Sequence, residues 1–162
     1  MHLNHLNLCS SDVSALTDTL EQHFGYQVVQ AGRVPDLPGV PNAGTDFAFL
    51  LGQDESYIVI SQIDPHPHDQ SSYPPQFHFG LMQDSADAVH AKHAELTAAG
   101  YHPGEVSEGF EVFGAEWTAF YCTIGDGLEI EVNHRTHSTI LDRHQSRRPA
   151  PGPLRTEVSH EP

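Results

Sequence analysis

Cysteine is scarce in this chain. Among 162 residues there are two, Cys9 and Cys122, and they form no CxxC pair. That excludes a disulfide framework and a zinc knuckle, and it points to a reducing, cytoplasmic setting. Basic residues are few as well: seven lysines and arginines stand against twenty-two acidic residues, a formal net charge of −15. A field of that sign repels phosphate backbones, so nucleic acid is excluded as a partner. Most of the arginines fall in the last thirty residues, so no basic stripe crosses the rest. No apolar run is long enough to span a bilayer. The opening MHLNHLNLCSSD has neither the basic n-region nor the apolar h-region of a signal peptide, and reads instead as an early strand. No membrane partner is expected. What remains is a soluble chain long enough for a proper core, in one domain or two small fused modules.

Histidine is what the chain has in excess, with thirteen. His137, His144 and His160 fall in a polar tail, and His66 and His68 in a Pro-rich loop; without ligand spacing these read as solvated surface. Two others open matching segments. HLNLCSSDVSALTDTLEQHFGY, from His5, parallels HFGLMQDSADAVHAKHAELTAAGY, from His78. Each begins with a short alternating strand pattern, followed by a Ser/Asp cluster suited to capping a helix: Ser11 and Asp12, then Asp84 and Ser85. Val13, Leu16, Leu20 and Phe24 recur at helical spacing, and Val89 and Leu96 mark the same stripe more weakly. Gly25 and Gly100 stand where a left-handed residue ends a helix.

The repeat continues. DFAFLLGQDESYIVIS parallels EWTAFYCTIGDGLEIEVN as strand, turn, strand, which matches Phe49 with Tyr121 and Val59 with Glu131. The reading is α+β: a first βαβββ module over 1–70 and a second over 71–136. A Pro/Gly-rich loop at 31–45 is expected to act as a flap beside a site. Residues 137–162, polar and proline-rich, read as a disordered or loosely docked tail.

Strand side chains alternate faces. His5, Asn7 and Cys9 therefore share one face, as do His78, Gly80 and Met82, and as do Gly127, Glu129 and Glu131. If the two modules present equivalent faces inward, His5 and His78 arrive from matching places and Glu131 joins from the last strand. Two imidazoles and a carboxylate on one side of an ion form a facial triad that leaves coordination positions open. Such donors suit Fe2+, Mn2+, Zn2+ or Ni2+ better than Ca2+.

The three segments NHLNLCSSDVSAL, FHFGLMQDSADAV and FYCTIGDGLEIEV, in this order, resemble the vicinal-oxygen-chelate superfamily of glyoxalases, bleomycin resistance proteins and extradiol dioxygenases. The resemblance covers roughly residues 1 to 135. It implies two modules whose curved mixed sheets form a cup around one divalent metal. It places the ligands at His5, His78 and Glu131, the last four residues after Gly127. It also implies a homodimer acting on a small molecule with adjacent oxygens, by dioxygenase-like or glyoxalase-like (lyase or isomerase) chemistry. Tyr121, ten residues before Glu131, resembles an extradiol tyrosine that hydrogen-bonds a bound substrate oxygen. Glu131 is also a candidate base.

Departures from the family pattern narrow the reading. Val59 stands where glyoxalases carry a fourth ligand. Val112, and the strand near Ser56, lack the extradiol histidines. A fosfomycin-type thiol transferase needs basic phosphonate contacts, for which Arg135 is the nearby candidate. Asn7, Phe113, Trp117 and Glu129 complete the expected substrate pocket, with Glu129 at its rim. The competing class is a non-catalytic small-molecule or antibiotic-binding protein of the same fold.

Overall fold

The structure is a computed structural model that describes residues 5–64, 71–138 and 140–142. His66, His68, His144 and His160 lie outside them. The chain folds as the repeat predicts. The first module runs β1 (His5–Ser10), α1 (Val13–Phe24), β2 (Gln27–Arg33), β3 (Asp46–Leu51) and β4 (Tyr57–Gln62). The second runs β5 (His78–Met82), α2 (Ala86–Ala98), β6 (Ser107–Val112), β7 (Ala115–Ile124) and β8 (Leu128–Arg135). Each module forms its own four-stranded mixed sheet, in the orders β1-β4-β3-β2 and β5-β8-β7-β6. In each, the first strand pairs parallel with the last and the other pairs are antiparallel.

The register confirms the repeat. Val59 sits between Asn7 and Phe49, as Glu131 sits between Gly80 and Tyr121. His5 lies opposite Tyr57, as His78 lies opposite Glu129. The two histidines thus hold equivalent edge-strand positions.

Both helices start where the Ser/Asp clusters lie. Asp12 accepts from the Ala15 amide at 2.9 Å, and Ser85 from the Ala88 amide at 3.1 Å. Each such cap is worth about 1 kcal/mol. Gly25 ends α1 at φ 71°, the left-handed conformation that glycine adopts without a Cβ clash. The apolar stripe of α1 buries Leu16 and Leu20 against its sheet, and α2 contributes Val89 and Leu96. With Leu8, Leu50, Ile60, Phe120, Ile130 and Val132 these form one core spanning both modules. A fully buried side chain of this kind contributes roughly 1.5–3 kcal/mol. No helix among the described residues is long and apolar enough to cross a membrane.

Polar ties join the modules. Asp126, in the turn before β8, accepts from Ser10 Oγ at 2.7 Å and from the Ser11 amide at 2.9 Å. The Tyr73 hydroxyl donates to the Cys9 carbonyl at 2.6 Å and accepts from the Cys9 amide at 2.9 Å. The expected loop at 31–45 is shorter than its composition suggests. Ala31–Arg33 pair with Asp46–Ala48 as part of β2, so the loop proper is 34–45. Of the tail, the described residues fold back on the second module: Ser138 is buried and its hydroxyl donates to the Phe113 carbonyl at 2.6 Å.

Candidate metal and substrate site

Each sheet packs its helix on one face and leaves the other open. On β8 the alternation places Leu128, Ile130 and Val132 in the core and Glu129 and Glu131 on the open face. His78 is the diagonal neighbour of Glu131 across the β5–β8 ladder, and Tyr121 lies directly opposite it on β7. These three side chains meet. His78 Nε2 lies 3.3 Å from Glu131 Oε2. The Tyr121 ring stands edge-on to the imidazole, with centroids 5.3 Å apart at 89°.

The imidazole is held from behind. Its Nδ1 lies 3.0 Å from the Gln76 carbonyl oxygen, which can only accept, so Nδ1 carries a proton and Nε2 is turned toward Glu131. Residue 80, opposite Glu131, is glycine, and an added side chain would crowd Asn133 more than the carboxylate. A Cβ there would stand 3.8 Å from Glu131 Oε2 and 3.0 Å from Asn133 Nδ2. Burial, ahead of the Glu131 and Glu129 carboxylates and a hydrogen bond to Glu131, pushes the Tyr121 phenol above its ordinary pKa. Tyr121 is therefore a neutral hydroxyl at physiological pH.

His5 is exposed on the open face of the first sheet, and Asn7 beside it accepts from Ser61 Oγ at 3.0 Å. Among the described residues no group of three His, Cys, Asp or Glu side chains is placed to hold a metal, so within one chain the structure unites His78 with Glu131 and does not add His5. Glu129 lies between His78 and Thr123 in the ladders. Trp117 and Arg135 face each other further along β7 and β8, on the same open face. The Trp117 indole donates to the Val112 carbonyl at 3.0 Å, while the Arg135 guanidinium donates to Asp142 Oδ1 at 2.6 Å. Phe113 is at the tip of the β6–β7 hairpin, at φ 53° and 63% exposed.

Asn133 was not singled out from the sequence. It is buried on the open face, flanked by Met82 and Ala119, and its Oδ1 has no hydrogen-bond partner. The signal was available, since Asn133 follows Glu131 by the strand period of two. A cavity of about 470 Å³ runs along Gly80–Asp84 and is walled by His23–Tyr26, Gly52–Asp54 and Lys92; His78, Tyr121, Glu131 and Asn133 do not line it.

Residues 2–132 match the model of the Glyoxalase/Bleomycin resistance protein/Dioxygenase superfamily. Among curated proteins there is no significant match. Several solved structures share the fold. A possible glyoxalase from Bacillus cereus is 26% identical, with a TM-score of 0.57, over 82% of this chain and 97% of that one. The fosfomycin resistance protein FosX from Mesorhizobium loti is 18% identical, with a TM-score of 0.59, over 90% and 98%. FosX from Listeria monocytogenes, in a complex with Mn(II) and sulfate, is 15% identical, with a TM-score of 0.59, over 88% and 97%.

Proposed function

Because the chain belongs to the Glyoxalase/Bleomycin resistance protein/Dioxygenase superfamily, we propose that it is a metal-dependent enzyme acting on a small substrate with adjacent oxygens. Its chemistry is glyoxalase-like (lyase or isomerase) or dioxygenase-like. The observation that carries this reading is the convergence of His78 Nε2 and Glu131 Oε2 at 3.3 Å, with the imidazole turned by Gln76. Two ligands each about 2.1 Å from one ion and at right angles to each other stand about 3 Å apart, so the pair fits a shared divalent metal. His78 and Glu131 are the ligands from the second module, and His5 is the third. Fe2+, Mn2+, Zn2+ and Ni2+ all suit this donor set.

His5 comes from a second copy of the chain in this reading. The two histidines occupy equivalent registers on β1 and β5, both edge strands, yet do not meet within one chain. A homodimer that sets the first module of one copy against the second module of the other completes the triad twice. Bound there, the ion supplies Lewis acidity toward a substrate's adjacent oxygens. Tyr121, kept protonated by its surroundings, donates to a substrate oxygen and orients it. Glu131 would serve as the base as well as a ligand. Two unpaired cysteines, Cys9 and Cys122, suit a cytoplasmic setting.

Metal analysis of tag-free protein tests the ligands. His78→Ala, Glu131→Ala and His5→Ala should each abolish stoichiometric metal, and retention by all three sinks the reading. Mixing the His5→Ala and Glu131→Ala proteins under exchange conditions tests the second copy. Random re-pairing restores roughly one site in four if the triad spans two chains, and none if it lies within one. That no three-ligand group forms among the described residues of one chain also favours a second reading, a metal-free binding protein of the same fold. Full small-molecule binding by all three variants would support it.

A further inference from the structure

The repeat supplies an internal control for Asn133. Glu131 matches Val59 in the ladders, so Gly80 matches Asn7 and Asn133 matches Ser61. In the first module that diagonal pair is closed: Ser61 Oγ donates to Asn7 Oδ1 at 3.0 Å. In the second module it is open, because residue 80 has no side chain. Asn133 is 5% exposed and its Oδ1 has no hydrogen-bond partner. Its backbone carbonyl accepts from the Gln83 amide at 2.6 Å, so the strand is complete without the side chain. Burying an amide unpaired opposes folding, and an apolar side chain of the same shape would remove that penalty. A polar group left bare in this way fits a site that pairs it only when a ligand is present.

The amide also faces the candidate metal ligands. A Cβ built on Gly80 would lie 3.0 Å from Asn133 Nδ2 and 3.8 Å from Glu131 Oε2, so both side chains border the space above that glycine. On the ladder Asn133 stands between Ala119, which is small and buried, and Met82, which is exposed. The amide therefore sits low on the open face, beside taller neighbours. The Glu131 carboxylate favours the N–H end of the amide dipole on its own side.

We propose that Asn133 is a further substrate-binding residue, whose Nδ2 donates a hydrogen bond to a substrate oxygen in the space above Gly80. A fixed donor there holds the negative charge that develops on that oxygen. The placing of the substrate rests on the metal-site reading above. The test uses the full chain loaded with Zn2+, its metal content measured first, and acetohydroxamate as the probe. Asn133→Leu should keep its metal, unfold at the same or a higher urea concentration, and bind the probe about two- to thirteenfold more weakly by calorimetry. Gly80→Ala crowds Nδ2 and needs no left-handed backbone, so it too should keep its metal and bind the probe more weakly. In the unsubstituted chain, the Asn133 side-chain amide protons should move downfield in NMR spectra when the probe is added. A lower urea midpoint for Asn133→Leu would make the amide a structural prop. That result, undiminished probe affinity in either variant, unmoved amide protons, or no probe binding to metal-loaded protein would each overturn the proposal. A chain that takes up no metal overturns the reading beneath it, and this proposal falls with it.

Discussion

At the scale of the residue, Tyr121 and Asp142 make opposite uses of charge. Tyr121 faces carboxylates and stays protonated, so Tyr121→Phe should keep its metal yet lose roughly 0.5–1.5 kcal/mol of ligand affinity, about two- to thirteenfold by calorimetry. Asp142 is held down to about 2 by the Arg135 guanidinium first, then by the Ser138 amide. Its folded pKa lies below the ordinary 3.8, so the stability it contributes is present above about pH 4 and fades as pH falls toward 2. The Ser138 amide resonance should follow that titration in acid, and an unmoved resonance would contradict the contact. Strand alternation made His78 and Glu131 legible from sequence, because a period of two fixes which side chains share a face; Tyr121 was legible only through its resemblance to the extradiol pattern. The capture of Arg135 by Asp142 was not legible. The partner lies seven residues on, in a segment without periodicity.

At the scale of the element, what could be read from sequence followed burial. Helix α1 was plain because Val13, Leu16 and Leu20 form a buried stripe. Strands β2 and β6 were harder to read. Gln27–Arg33 is almost wholly exposed and Ser107–Val112 entirely so, which leaves no buried face to impose alternation. Backbone pairing to β3 and β7 makes them strands regardless. The edge strand β1 is tied by Tyr73, whose phenol is pushed up to about 12, chiefly by burial. A phenol with a raised folded pKa stabilises below pH 10 and loses that contribution as pH climbs from 10 to 12. Tyr73→Phe should cost about 1–3 kcal/mol in urea unfolding, since it orphans the Cys9 backbone groups, and should flatten that alkaline loss. A variant as stable as the parent would show the tie to be incidental.

At the scale of the whole molecule, the repeat announced two modules, but it carried no information on how they sit against each other. Strand register decides which face a side chain takes; the relation between sheets depends on contacts such as Asp126 to Ser10 and on the shared core. That is why the equivalence of His5 and His78 was visible while their separation within a chain was not. Each sheet draws all its strands from one contiguous half, so no ladder bridges the stretch from 64 to 71. A nick there severs no strand pairing. Separately expressed halves should find each other through the shared core and the polar ties of Asp126 and Tyr73, and co-purification of the two fragments as a one-to-one complex would reveal a protein that tolerates being made in two pieces.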